Sequence, residues 1–269
     1  MTSAVPIPPA LNSLPARVFR AAQARRGLRR MVEWFWPSHV GEVEGLRVRL
    51  HPGSNNSDMI AWIYGEIPEP RSRAALLGRI GGRDAFIMDI GANSGLFTTH
   101  FARATSPATR ILAIEPNPAL VPQIRENLRL NTVPDGKVEI VQRALSSAAG
   151  RSTLHVVAAN LGSSSMVTRR AGAGAIEVET ATLASLAAAR APHQVFAIKI
   201  DVEGAEPEVL GPMLDTAADD ALPALILIET AHDGAWSRDL RGDLARRGYR
   251  PVFEDEGNTL FERNDGRSA

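Results

Sequence analysis

Residues 89–95 read Asp-Ile-Gly-Ala-Asn-Ser-Gly and bring a carboxylate, an amide and two glycines into one short stretch. An apolar run at 85–88 precedes this stretch, and Leu96, Phe97 and Phe101 follow it at helical spacing. Glycine lets the backbone turn sharply and approach a ligand closely, and a helix that starts there directs free N–H groups at that ligand. The pattern predicts a buried strand, a ligand-binding turn and a helix.

The side chains of this turn favour one kind of nucleotide cofactor. Asp89 and Asn93 place a carboxylate and an amide where a dinucleotide-binding fold receives a pyrophosphate. A cofactor with an ammonium and a sulfonium group would instead be attracted by the acid. The turn therefore favours S-adenosylmethionine over NAD, with contacts expected from Asp89, Gly91, Ala92, Asn93 and Gly95.

A second acidic residue stands where the next strand ends. The apolar run 110–114 leads into Glu115, 24 residues after Gly91, and then into Pro116, and both residues are expected to contact the cofactor. An acid at that point can accept hydrogen bonds from both ribose hydroxyls. The alternative is a surface turn followed by an ordinary carboxylate at a strand end. In a sheet that binds this cofactor, the small Ala144 after a third strand leaves room for adenine.

Charged residues also interrupt the apolar strand predicted at 195–200. If the chain stays extended, Lys199 shares a face with Asp201 and Glu203. Charges inside an apolar strand are costly unless they are paired or used, so the alternative is a structural lysine–carboxylate pair. Asp201 is predicted at the carboxyl end of a parallel strand, where open α/β sheets bind ligands, and is expected to contact the cofactor as well.

The next strand, predicted at 224–228, ends in Glu229, with His232 shortly after it. Asp201 and Glu229 could share a magnesium ion, although two carboxylates do not complete a site. A lysine base needs a lowered pKa, and neighbouring carboxylates would raise it, so Lys199 is expected to organise the site. The base role falls to a carboxylate or His232. The predicted catalytic residues are Lys199, Asp201, Glu203, Glu229 and His232.

Composition excludes several kinds of protein. The chain of 269 residues has 30 basic and 30 acidic residues and no cysteine, so neither a disulfide nor a thiolate site can form. Zero net charge argues against nucleic acid as a partner. The sequence has no run of eighteen apolar residues and no secretory signal pattern, so a cytoplasmic protein without a membrane span is expected.

Two regions are predicted: an N-terminal basic and aromatic helical extension at 1–45 and the cofactor-binding domain at 46–269. Residues 16–36 carry six arginines at helical spacing and end in Trp-Phe-Trp. This helix could lie on a membrane or an anionic partner, but packing against the domain or a second subunit is favoured. Asn127 and Asn131, near the end of another predicted helix, are expected to be a cap and surface residues.

Taken together, the strings at 89–95, 115–116 and 199–206 and the acid at 229 resemble the FkbM family of S-adenosylmethionine-dependent methyltransferases. The resemblance covers about residues 85–230, and Lys-Ile-Asp-Val-Glu-Gly-Ala-Glu is its most specific part. It implies an α/β fold with a Rossmann-like, seven-stranded class I methyltransferase sheet, helices on both faces and an antiparallel C-terminal hairpin. One departure is Ala184, where the family usually carries aspartate.

The resemblance also implies O-methylation of a hydroxyl on a small molecule, sugar or glycan. Two other functions stay open. A protein or nucleic-acid methyltransferase could use the basic N-terminal helix as its grip, and strongly salt-dependent nucleic-acid binding would then be expected. Alternatively, a non-catalytic protein could bind the cofactor and act as a partner in an assembly. The sequence does not define an oligomeric state.

Overall fold

A computed structural model of the chain describes residues 38–158, 160–167, 173–188, 195–231, 233–255 and 257–264. The strands in these ranges are β1 (His39–Val43), β2 (Leu46–Leu50), β3 (Ala85–Ile90), β4 (Arg110–Ile114), β5 (Val138–Val141), β6 (Ala144–Leu145), β7 (Gly150–Val156), β8 (Gly174–Ala181), β9 (Val195–Ile200), β10 (Leu225–Glu229), β11 (Tyr249–Glu254) and β12 (Asn258–Arg263). The α-helices are α1 (Asn56–Tyr64), α2 (Pro70–Ile80), α3 (Leu96–Ala104), α4 (Val121–Leu130), α5 (Leu183–Ala187), α6 (Glu206–Thr216) and α7 (Leu240–Arg246).

A seven-stranded sheet forms the centre, in the order β11-β12-β10-β9-β3-β4-β5. The pairs among β5, β4, β3, β9 and β10 are parallel, whereas β12 runs antiparallel to both β10 and β11. The predicted seven-stranded sheet with an antiparallel C-terminal hairpin is therefore confirmed. A three-stranded sheet of β6, β8 and β7 and the β1–β2 hairpin lie outside it.

The central strands are apolar because helices cover both of their faces. Phe86, Met88 and Ile90 of β3 belong to a core cluster with buried residues of α5, α6 and α7. Ala85 and Ile87, which alternate with them, belong to a second cluster with residues of α2 and α3. Asp89 of β3 and Lys199 of β9 lie on the same face of the sheet as this second cluster. Their side chains therefore extend toward α3 among apolar neighbours.

The β1–β2 hairpin attaches to the domain through buried amides of α4. Asn127 is completely buried; its Oδ1 accepts from the Arg49 backbone N–H at 2.7 Å and its Nδ2 donates to the Ser94 carbonyl at 2.9 Å. Asn131 likewise accepts from the backbone N–H of Arg47 at 3.1 Å. Asn131 is the C-cap of α4, as expected, but neither asparagine is a surface residue. Both bind the hairpin, and Asn127 also joins it to the glycine turn.

The N-terminal helix predicted at 16–36 lies outside the described residues, and the division of the chain at residues 45 and 46 stays a prediction. Within the described ranges, no helix combines the length and the hydropathy needed to cross a bilayer.

Replacing Asn127 by alanine should destabilise the protein, because the buried Arg49 N–H and the Ser94 carbonyl would both lose their partner. We expect a loss of about 3 kcal/mol in the free energy of unfolding, measured by urea denaturation. Asn264→Ala is the matched control, since Asn264 is exposed. Equal, small losses in the two variants would show that the buried amide does not hold the hairpin.

Candidate functional site

The glycine turn after β3 packs directly against the chain that leaves β9. Gly91 has φ +77°, and a Cβ at this position would lie 1.9 Å from the backbone oxygen of Asp201. Gly95 has φ +81°, and a Cβ there would lie 3.1 Å from Ile124 of α4. Both positions therefore need glycine, the first for contact between two loops and the second for contact between two helices.

Asn93, between these glycines, adopts a left-handed backbone with φ 54°. Its side chain accepts a hydrogen bond from Asn55 at 2.6 Å and donates one to the Ser57 hydroxyl at 3.3 Å. A Cβ at Gly162 would lie 2.4 Å from the Asn93 amide nitrogen. The turn is thus held from two sides, by the start of α1 and by the loop around residue 162.

Glu115 follows β4 and lies beside this turn. Its Oε2 accepts from the Asn93 backbone N–H at 2.8 Å, and its Oε1 accepts from the Asn117 backbone N–H at 2.8 Å. Burial raises the pKa of Glu115 to about 7, although the two backbone hydrogen bonds favour its ionised form. Each carboxylate oxygen keeps a lone pair after these bonds, so the group can accept two further hydrogen bonds.

A cleft of about 600 Å³, called the first cleft, opens at the carboxyl ends of β3, β4 and β9. Six of the residues predicted to bind the cofactor line it together, namely Gly91, Asn93, Glu115, Pro116, Ala144 and Asp201. Leu161, Gly162 and Met166 form a further wall; the sequence suggests that their loop could cover a substrate or merely connect, and none of the three was predicted as a site residue. Ala184, the departure from the family pattern, is exposed on α5 and lines neither this cleft nor the one described below.

A second cleft of about 350 Å³ adjoins the first. The two clefts share Gly91, Asn93 and Asp201 as lining residues. Ala92, another predicted cofactor residue, lines only the second cleft, whereas Gly95 lines neither. The second cleft also contains Glu69, which sequence reasoning missed because it precedes a predicted helix far from any motif in the chain.

Lys199 is buried in the wall of the second cleft. Its Nζ donates to the Gly91 carbonyl at 3.1 Å and lies 3.6 Å from a carboxylate oxygen of Asp89 and 3.6 Å from one of Asp201. It also lies 5.1 Å from the centroid of the Phe97 ring. The structural lysine–carboxylate pair is therefore present, and it holds the glycine turn in place. An ion pair at this position is compatible with a lysine that organises the site.

The charges around Lys199 determine its protonation. Burial alone would lower the pKa of Lys199, but nearby carboxylates outweigh burial and raise the pKa above its ordinary value; they belong to Asp201, Asp89, Glu69 and Glu229. The side chain is therefore protonated at neutral pH and cannot act as a general base there. The organising role expected for Lys199 stays a prediction.

Asp89 lines neither cleft. It is completely buried, and its Oδ2 accepts from the Thr98 hydroxyl at 2.5 Å. Burial raises the pKa of Asp89, while the Lys199 ammonium opposes that rise. Direct contact between Asp89 and a cofactor ammonium stays a prediction, and the observed partners of its carboxylate are Thr98 and Lys199.

The strand β9 ends at Ile200, so the chain does not stay extended as assumed for residues 199–203. Glu203 has φ 56° and lines the first cleft, whereas Lys199 lines the second. Glu206, completely buried, shapes this bend, since its Oε1 accepts from the Val202 N–H at 3.0 Å and the Gly204 N–H at 3.3 Å. Glu206 is part of the motif at 199–206, but the sequence predicted no role for it.

Glu229 ends β10 beside the strand that carries Lys199. Burial raises the pKa of Glu229 to about 9, with further contributions from the Asp201 and Glu203 carboxylates. Glu229 therefore holds a proton at neutral pH. Among the residues that the structure describes, no three acidic, histidine or cysteine side chains are grouped to hold a metal ion, so the suggested magnesium site at Asp201 and Glu229 lacks support. His232 lies outside the described residues, and its predicted role is untested.

Gly91 and Gly136 offer a matched test of the contact between the two loops. Both have a left-handed backbone, with φ +77° and +76°, but a Cβ at Gly136 would have nothing within 4 Å. Gly136→Ala should cost about 1 kcal/mol of unfolding free energy for its backbone alone. Gly91→Ala should cost several times more, because the methyl group would collide with the Asp201 carbonyl. Equal losses in urea denaturation would contradict the close approach.

Comparisons with known proteins agree with this geometry. The Methyltransferase FkbM domain family matches residues 89–251. Methyltransferase sdnD of Sordaria araneosa is 32% identical in an alignment 154 residues long, and the match covers 46% of this chain and 59% of that protein. The chain thus spans less than two thirds of the length of this curated relative.

Solved structures give weaker likenesses. A methyltransferase from Geobacter sulfurreducens has a TM-score of 0.46 at 19% identity, over 77% of this chain and 86% of that one. The methyltransferase FkbM from Methylobacillus flagellatus KT has a TM-score of 0.44 at 17% identity, over 66% of this chain and 43% of that one. The family assignment rests instead on the sequence match, which covers more than half of the chain. The chain therefore belongs to the FkbM methyltransferase domain family.

Proposed function

We propose that this protein is an S-adenosylmethionine-dependent methyltransferase that transfers a methyl group to a hydroxyl of a small molecule or sugar. The observation that supports the proposal most strongly is the position of Glu115. Its carboxylate is fixed by two backbone N–H groups, lines the first cleft and lies beside the glycine turn. A carboxylate held in this way can accept hydrogen bonds from the two ribose hydroxyls of a nucleoside.

The rest of the first cleft fits the same nucleoside. Ala144 and Leu145, which line this cleft together with Glu115, offer small and apolar side chains, as an adenine ring requires. Gly91 presents backbone without a side chain and lines both clefts, so a ligand could pass it toward the second cleft. Asp201 borders both spaces, close to where the reacting groups would meet.

Bound S-adenosylmethionine would supply a methyl group on a sulfonium. The acceptor oxygen would form a bond to the methyl carbon while the carbon–sulfur bond breaks with its electron pair remaining on sulfur. The hydroxyl proton would pass to a base. The protein must align the acceptor and receive that proton. Lys199 and Glu229 are unsuited to receive it at neutral pH, since both already carry a proton. The base is then Asp201 or Glu203, with His232 as the remaining alternative.

Charge limits the choice of acceptor. Asp201 and Glu203 line the first cleft, and Glu229 lies close enough for both to raise its pKa. A phosphorylated or carboxylated group at this position would meet like charges. A neutral hydroxyl compound is therefore the acceptor that this site would favour.

Calorimetric titration tests the cofactor assignment. Wild-type protein should bind S-adenosylmethionine and not NAD, and Glu115→Ala should weaken that binding at least about tenfold, since charge-assisted hydrogen bonds to the ribose are lost. Glu139→Ala is the matched control because Glu139 is exposed on β5. Absence of binding to S-adenosylmethionine, or equal binding of NAD, would overturn the proposal.

Acceptor identity needs a separate assay. The protein should transfer isotope-labelled methyl from S-adenosylmethionine to members of a panel of neutral polyols and glycosides in preference to their phosphorylated counterparts. Asp201→Ala should abolish the transfer, because this carboxylate borders both clefts. Full activity in that variant, or a preference for the phosphorylated compounds, would contradict the assigned site.

A further inference from the structure

We propose that the second cleft receives the amino-acid end of S-adenosylmethionine and that Glu69 is the carboxylate that binds its ammonium group. The inference rests on the cofactor assignment above and extends it to a residue outside every sequence motif.

The two clefts lie next to each other and share lining residues. Gly91, Asn93 and Asp201 line both of them, while Glu115 lines only the first and Glu69 only the second. A nucleoside with its ribose on Glu115 would therefore pass Gly91 before reaching Glu69. S-adenosylmethionine has this elongated form, with an amino-acid chain attached to the 5′ position of the ribose.

The walls of the second cleft suit both charges of an amino-acid group. Ser94, Leu96 and Phe97 bring the N-terminus of α3 to one wall, and a helix N-terminus favours a carboxylate. The Ser57 hydroxyl lies on the same cleft and can donate a hydrogen bond. Glu69 also lines this cleft and offers the opposite charge, as a ligand ammonium requires.

Glu69 is held at this position by the chain around it. It directly precedes α2 and has a left-handed backbone with φ 58°. Non-glycine residues in this conformation need support from their surroundings. The side chain hydrogen-bonds Asn258, and its charged neighbours are Asp201 and Lys199 at β9 and Asp255 in the turn between β11 and β12.

The carboxyl groups at the second cleft could interact favourably with one more positively charged group. Lys199 faces the carboxyl groups of Asp89, Asp201, Glu69 and Glu229. Burial, with the Asp201 carboxylate as the next contribution, raises the pKa of Glu69 to about 7. Because burial is the main cause of this shift, a ligand ammonium beside Glu69 would oppose it and favour the ionised carboxylate.

Two thioether ligands separate this inference from the cofactor assignment. S-adenosylhomocysteine carries the amino-acid end, whereas 5′-methylthioadenosine lacks it. Calorimetry at pH 8 should show that wild-type protein binds the first ligand more tightly than the second. Glu69→Gln should weaken S-adenosylhomocysteine binding about tenfold and change methylthioadenosine binding less than about twofold, since one charge-assisted hydrogen bond is lost.

Glu66→Gln is the matched control, because Glu66 is an exposed glutamate three residues earlier. It should bind both ligands as wild-type protein does. Retained methylthioadenosine binding by Glu69→Gln also shows that this variant is folded. Equal weakening of both ligands, or no weakening of either, would overturn the role of Glu69 while leaving the cofactor assignment in place. Failure of wild-type protein to bind either ligand would instead contradict the proposed function.

A pH series gives an independent readout. The advantage of S-adenosylhomocysteine over methylthioadenosine should increase between pH 6 and pH 8 in wild-type protein, because Glu69 ionises in this window. In Glu69→Gln the advantage should be smaller and change little with pH. An unchanged pH dependence in the variant would assign the titration to another group and contradict the inference.

Discussion

Both clefts depend on the hydrogen bond and the ion pairs that the buried ammonium of Lys199 makes. This ammonium joins the Gly91 carbonyl to the carboxylates of Asp89 and Asp201, and so links the turn after β3 to the loop after β9. A buried charge of this kind is stable only while its partners stay in place. The Lys199 ion pairs therefore fix the shared wall of the two clefts.

Other contacts hold the segments that surround this wall. Gly91 allows the turn to touch the Asp201 carbonyl, and Glu206 bends the following loop by accepting two of its N–H groups. Asn127 ties the same turn to the N-terminal hairpin through the Ser94 carbonyl. Segments distant in sequence thus converge on a few backbone groups, which explains why a short glycine-containing motif can organise a large site.

The central part of the fold could be predicted because its sequence pattern is local. The strand, turn and helix around Gly91 follow one another in the chain, and Glu115 ends the next strand along it. The spacing of Asp89 suggested a cofactor contact, which stays a prediction. The pattern did not indicate the neighbours that alternation along β3 gives its side chain, namely Thr98 and Lys199.

Residues whose roles depend on tertiary packing could not be found in this way. Glu69 reaches the second cleft only because α2 packs beside the central sheet, and nothing in its neighbourhood in the chain resembles a binding motif. Asn127 is a polar residue of a type that usually lies at the surface, but the hairpin covers it. Glu206 belongs to a motif that the sequence shows. Its role of accepting two N–H groups becomes apparent only from the bend after β9.

Glu69 lies among the carboxyl groups that surround Lys199, and burial is the main reason that its pKa is raised to about 7. Proton exchange on ligand binding shows whether a cofactor ammonium makes this carboxyl ionise, and calorimetry at pH 7 in buffers with different ionisation enthalpies measures it. S-adenosylmethionine should displace a fraction of a proton, because its cationic groups favour the ionised carboxyl of Glu69. 5′-Methylthioadenosine should displace much less. Equal proton release by both ligands, or none by either, would contradict this role of Glu69.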